Sequence, residues 1–152
     1  MKIFILILVI LGYLQADVVK KVVFDVTIGD IKGFKLKVLS GIIHQINYYE
    51  GNLEELQVAA VIHGNAYKFF IKDIQASNFY NEIALVKSQR ELRKRIGAMS
   101  SLYNVEFIMC AAGMKNLKID KANIYNFVKF IPNAAIGLID KQNEGFAYIP
   151  IN

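Results

Sequence analysis

The amino-acid sequence predicts an α/β fold on a parallel sheet, and three features carry that expectation. Strand-like runs alternate with helical patterns in the order β-α-β-α-β-α-β-α-β, which argues for a parallel sheet with helices on both faces. The run Phe107-Ile108-Met109 is short and continuously apolar, which suits a central strand covered on both faces rather than an amphipathic helix. Turn residues follow the first two strand-like runs, at Gly29-Asp30 and His63-Gly64-Asn65, and bound them as separate segments.

Length and composition limit the alternatives. A chain of 152 residues makes one domain. A domain of this size buries roughly two-thirds of its unfolded surface without disulfides or metals. Hydrophobic residues make up 55%, which excludes a disordered chain. The formal net charge is +5, from 18 Lys and Arg against 13 Asp and Glu, and the excess is too dispersed to indicate a nucleic-acid partner.

Met1 to Ala16 stands apart from the rest. Lys2 gives a positive start, Ile3 to Leu14 is an apolar core broken only by Gly12 and Tyr13, and Leu14-Gln15-Ala16 resembles a signal-peptidase site. The run is shorter than the ~20 apolar residues that span a bilayer. The expectation is a signal peptide over residues 1–16 and a single mature domain over residues 17–152. The protein is then exported, with no membrane attachment after cleavage. A buried first strand and an uncleaved anchor are the alternatives.

The first mature strand is expected over Val18 to Thr27, where Val22, Val23, Phe24 and Val26 are β-branched or aromatic. Asp30 can cap the following helix, expected over about Lys32 to Tyr48, with Leu36, Leu39, Ile43 and Ile46 as its core stripe. Leu56 to Ile62 is the second strand. Ala66 to Lys72 is a short helix, and Ile74 to Asn81 has no period and reads as a connection. A long helix follows over about Tyr80 to Leu102, its buried side marked by Leu85, Leu92, Ile96 and Met99. The third strand ends at Cys110 and leads into a tight turn of small residues, with a polar break at Lys115-Asn116. Asp120 can cap a short helix through Phe127. Val128 to Ile131 is a short strand that Pro132 stops. Ala134 to Asn143 is the last helix, terminated at Gly145, and Phe146 to Ile149 is the last strand, before Pro150.

Cys110 is the only cysteine, and it falls at the carboxyl end of a strand, where open α/β sheets bind their ligands. Ala111, Ala112 and Gly113 leave room around its sulfur. In an oxidising compartment cysteines usually pair, and a lone cysteine cannot pair within its own chain. Cys110 is therefore a buried inert thiol, half of a disulfide between chains, or a thiol kept for its chemistry. Backbone N–H groups at a following helix start would favour the thiolate. His63, at the end of the neighbouring strand, can approach the same edge and orient a ligand or assist the thiolate; the plainer reading is a loop histidine bonded to backbone. His44 lies on the polar side of its helix.

One Cys and two His fall short of a closed zinc site, although a Cys/His pair completed by a second subunit stays open. Neither G-x-G-x-x-G, nor G-x-x-x-x-G-K-[ST], nor G-x-S-x-G occurs, so neither a nucleotide cofactor nor a serine nucleophile elbow is indicated. Lys87, Arg90, Arg93, Lys94 and Arg95 read as a solvated helix face, the alternative being an anionic surface contact.

Several stretches in order then resemble one known family. Val22-Val23-Phe24-Asp25-Val26, Ile46-Asn47, Val61-Ile62-His63-Gly64, Val105 to Cys110 and Gly145 to Ile149 resemble the DsrE/DsrF-like proteins of sulfur metabolism, in the exported branch with a signal peptide. The resemblance implies a three-layer α/β/α sandwich on a mostly parallel five-stranded sheet. It implies a homo-oligomer, a trimer or hexamer, in the periplasm. It matches Cys110 to a position that carries a persulfide, with a thiol or sulfur-carrier protein as partner and no cofactor. His63 matches a His-Gly pair of that branch. Two functions follow as expectations. The first is a sulfur carrier in which Cys110 holds and passes on a sulfane sulfur. The second is a non-enzymatic oligomer of the same fold that binds a small ligand at the strand ends or is purely structural. The pairs Phe69-Phe70 and Phe127 with Phe130 add to the expectation of an oligomer, as aromatics one small domain does not fully bury.

Overall fold

The computed structural model describes residues 19–152, so the expected signal peptide over residues 1–16 lies outside the described residues. Five strands form one sheet: β1 (Lys20–Val26), β2 (Leu56–Ile62), β3 (Glu106–Cys110), β4 (Lys129–Ile131) and β5 (Ala147–Ile151). Their order is β4-β3-β2-β1-β5, and every neighbouring pair is parallel.

That order fixes the layers. The chain steps the same way from β1 to β2, β3 and β4, then returns to the far side of β1 for β5. Right-handed crossovers put the earlier helices on one face and the last helix on the other. The first layer holds α1 (Ile31–Gly33), a π-helical stretch (Phe34–Ser40) and α2 (Gly41–Gly51) as one continuous helical segment, together with α3 (Ile83–Leu102). After β3 comes the short α4 (Ala111–Asn116), and α5 (Ala134–Asn143) forms the opposite layer. Strand alternation divides the core accordingly. Val22, Phe24, Ala60, Ile62, Phe107 and Met109 pack under the larger layer. Val23, Ala59, Val61 and Ile108 pack under α5 with Phe146 and Leu138.

Most expected elements are in place. Asp30 caps the first helical segment, its carboxylate accepting from Gly33 N at 2.6 Å. Leu85, Leu92, Ile96 and Met99 are all buried on α3. The α5 helix spans its expected residues, and Gly145 ends it at a φ of +89°. Lys141 on α5 and Lys129 on β4 both pair with Glu106 of β3, at 2.8 and 2.7 Å, which ties α5 to the sheet at the amino ends of the strands.

Five expectations are corrected. Leu36 does not belong to the core stripe; it is 64% exposed. The π-helical stretch turns more slowly than an α-helix, so Phe34, Val38, Ile42 and Ile46, spaced by four, face inward. The helix expected from Asp120 to Phe127 is a single 3-10 turn, Lys121–Asn123, which Asp120 caps through Ala122 N. The tight turn and polar break after Cys110 are the helix α4. The last strand runs through Pro150, which an edge strand tolerates, and among the described residues β5 bonds only to β1. Phe69 and Phe70 are buried, and Phe34 stacks on Phe69 with ring centres 4.0 Å apart. That pair leaves no aromatic surface over, whereas Phe127 and Phe130 stay exposed.

Candidate functional site

Cys110 is the last residue of β3 and the residue before the first turn of α4. The chain leaves the sheet there because Ala111 and Ala112 favour a helix, just past the last pair of the ladder, Cys110 with Ile131. The thiol is buried, with 7% of the residue exposed. Burial alone pushes a thiol's pKa up. At Cys110 this is outweighed by the Tyr67 hydroxyl and the backbone N–H groups of Gly113, Ala134 and Ala112, and the thiol sits below its ordinary value. Gly113 and Ala112 lie in the first turn of α4, where the Ala112 N–H donates to Pro132 O at 3.1 Å, and Ala134 opens α5.

Tyr67 was not legible as a site residue. It lies in a 3-10 turn, Ala66–Phe70, after the loop that ends β2. Its hydroxyl donates to the Cys110 carbonyl at 2.7 Å, and it is 1% exposed. Burial and the neighbouring Cys110 sulfur both raise its own pKa, so it stays a neutral donor. The space left by Gly113 is filled by this ring: a Cβ at residue 113 would overlap Tyr67 Oη and lie 2.8 Å from Cζ. The room expected around the sulfur is thus occupied on that side by a hydrogen-bond donor.

His63 stands at the same sheet edge, as expected. The Gly64 turn, at a φ of +59°, packs against Thr27 and fixes where His63 leaves β2. Its imidazole is bonded to a side chain and not to backbone: Nε2 lies 2.5 Å from Asp25 Oδ1. Tyr148 donates to Asp25 Oδ2 at 2.7 Å, and that bond raises the Tyr148 hydroxyl's pKa. Asp25 and Tyr148 went unread because each looks like an ordinary strand residue; only the parallel pairing of β1 with β5 joins them. His44 is exposed, as expected of the polar helix side. Lys87, Arg90, Arg93 and Lys94 are also exposed, while Arg95 reaches Glu91 and Ser40. Among the described residues, no group of three or more His, Cys, Asp or Glu is placed to hold a metal, and no helix is long and apolar enough to cross a membrane.

A parallel five-stranded α/β/α sheet with a cysteine at the carboxyl end of β3 defines the class of protein. The chain belongs to the DsrE/DsrF-like family, a family associated with sulfur relay, whose family model matches residues 21–151. An uncharacterized protein of Aquifex aeolicus (strain VF5) is 30% identical over 152 residues, which is 99% of this chain; the chain spans 64% of that protein's length. Among solved structures, a protein of unknown function from Methanobacterium thermoautotrophicum shares the fold at a TM-score of 0.58 and 18% identity, over 86% of this chain and 98% of the other.

Proposed function

We propose that the protein is an exported sulfur carrier that holds a sulfane sulfur on Cys110 and passes it to a thiol or sulfur-carrier partner. The observation that carries this reading is the polar setting of a buried thiol: the Tyr67 hydroxyl, bonded to the Cys110 carbonyl, and the backbone at the starts of α4 and α5 together favour the thiolate in spite of burial. A thiolate is the form that attacks sulfur. With a persulfide donor R–S–SH, a bond forms between Cys110 Sγ and the outer sulfur. The bond from that sulfur to R–S breaks, and its electron pair leaves on R–S. The products are the Cys110 persulfide and a thiol, with no net oxidation. The test is intact mass after reduced protein meets a sulfane-sulfur donor. Wild type should gain sulfur that a reductant removes, and Cys110→Ser should gain none while keeping its fold by circular dichroism. A wild type that gains no sulfur overturns the reading.

A second reading, a non-covalent small-ligand site at the strand ends, is favoured by the burial of Cys110. A folded thiol that resists a small alkylating reagent would move it ahead. The protein is also proposed to act as a homo-oligomer, a trimer or hexamer, in the periplasm. Exposed Phe127, Phe130, Ile136 and Ile139 support association, since among the described residues α5 is the one helix that covers its face of the sheet. Light scattering should give a multiple of the chain mass, and a monomer mass across a wide concentration range would reject this.

A further inference from the structure

A second group of polar side chains occupies the same edge of the sheet. Asp25 on β1, His63 after β2 and Tyr148 on β5 form a chain of hydrogen bonds, His63 Nε2 to Asp25 Oδ1 at 2.5 Å and Tyr148 Oη to Asp25 Oδ2 at 2.7 Å. Asp25 alternates with Phe24 and so lies on the α5 side with Val23, which pairs with Tyr148. Its side chain is 15% exposed and that of His63 is 28% exposed, so the carboxylate is sheltered and the imidazole still meets water. Among the described residues, Nδ1 of His63 has no hydrogen-bond partner in the protein.

The register brings this group to the cysteine. Ile62 of β2 pairs with Met109 of β3. Continuing that register by one residue sets His63, the residue after β2, opposite Cys110 at the end of β3, and neighbouring strands of a sheet lie about 4.8 Å apart. Cys110 packs with the core under the larger layer, and Ala134 at the start of α5, which packs against both cores, is among the groups that favour its thiolate. Asp25, with both oxygens engaged, holds the ring by Nε2. The other ring nitrogen is left without a protein partner among the described residues.

Resting on the reading of Cys110 as the attacking thiolate, we infer that His63 is the general acid of this site, positioned by Asp25 and Tyr148, and that it serves donors whose leaving group is a basic alkyl thiolate. As the Cys110 Sγ–S bond forms and the donor's S–S bond breaks, the electron pair departs on the donor sulfur. Protonated His63 gives that sulfur its proton, so an alkyl thiol leaves, and the neutral imidazole recovers a proton from water. Histidine suits this step because it carries a transferable proton near neutral pH. A leaving group of low basicity departs without such help.

That difference supplies the experiment. Exchange of the Cys110 thiol in the full chain is timed with two small uncharged disulfides, bis(hydroxyethyl) disulfide, which releases an alkyl thiolate, and dithiodipyridine, whose leaving group needs no proton. His63→Gln should slow the alkyl reaction by about tenfold or more and leave the dithiodipyridine rate unchanged. Asp25→Asn should give the same selective loss, and Tyr148→Phe a smaller one, because the contact between Asp25 and His63 remains. The unchanged dithiodipyridine rate also shows that each variant keeps its folded site. Equal slowing with both disulfides would make His63 a structural residue and overturn the inference. So would no slowing with either, and so would a folded thiol that neither disulfide reaches. Sulfur uptake by mass, measured on the same samples, separates this outcome from the carrier reading, which fails on absent uptake whatever the exchange rates show.

Discussion

Gly113→Ala is expected to destabilise the fold by about 1–3 kcal/mol and to weaken the thiolate site at the same time. Alanine is the better helix former, so on α4 alone the change would help slightly. The packing decides otherwise. The new Cβ would overlap Tyr67 Oη and stand 2.8 Å from Cζ and 2.9 Å from Cε2. These are atoms of a ring that is 1% exposed, not the loose end of a surface side chain. The ring and α4 must therefore part. That movement breaks the 2.7 Å bond from Tyr67 to the Cys110 carbonyl and carries the Gly113 N–H away from the sulfur. Urea denaturation should show a lower midpoint with an unchanged slope, and the thiol should titrate nearer its ordinary value. Combining the change with Tyr67→Phe removes the worst overlap, so the double variant should lose less than the two single losses added together. A Gly113→Ala protein as stable as wild type would show that α4 does not close on Tyr67.

Tyr67→Phe is expected to raise the pKa of Cys110 and to cost about 1 kcal/mol for the lost hydrogen bond. The hydroxyl, held against Cys110 by its bond to the carbonyl, is a polar group beside the sulfur that favours the thiolate against burial. Without it burial counts for more, and the thiol moves back up. The sign of the linked stability follows. In the wild type the folded pKa lies below the thiol's ordinary value. The thiolate then adds stability that is fully present above that value and is lost as pH falls through the folded pKa. Wild-type stability should thus rise with pH across that window relative to Cys110→Ser. In Tyr67→Phe the rise should shrink, because the folded and unfolded values converge. Urea unfolding at a series of pH values, beside the pH dependence of alkylation, measures both effects. A variant whose thiol titrates as in wild type would show that the helix starts suffice.

Much of this architecture was legible because it depends on local pattern. The apolar stripe of α3 and the bounded run of β2 are periodicities of the chain itself. The alternation of strands with helices led to the parallel sheet, and the place of Cys110 at a strand end followed from the turn signals around it. Leu36 misled because the usual helical spacing was applied across a stretch that winds as a π-helix, and nothing in Phe34 to Ser40 announces the wider turn. Phe69 and Phe70 misled for a related reason. Adjacent aromatics in a short segment look surplus until the rings of Phe34 and Phe107 are found beside them.

The sequence by itself determined the class of fold, the single cysteine and its position on the sheet edge, since these need only composition, period and turn chemistry. The tertiary structure alone decided what surrounds that cysteine. Tyr67 comes from the connection after β2, Ala134 from the start of α5, and the Asp25 and Tyr148 that hold His63 from two other strands. Residues far apart in the chain meet at one edge because parallel strands all end there, and the pairing register chooses which side chains stand level. A hydrogen bond 2.7 Å long between residues 43 positions apart, as from Tyr67 to Cys110, comes from the turn after β2 packing against the end of β3 and leaves no local trace in the sequence.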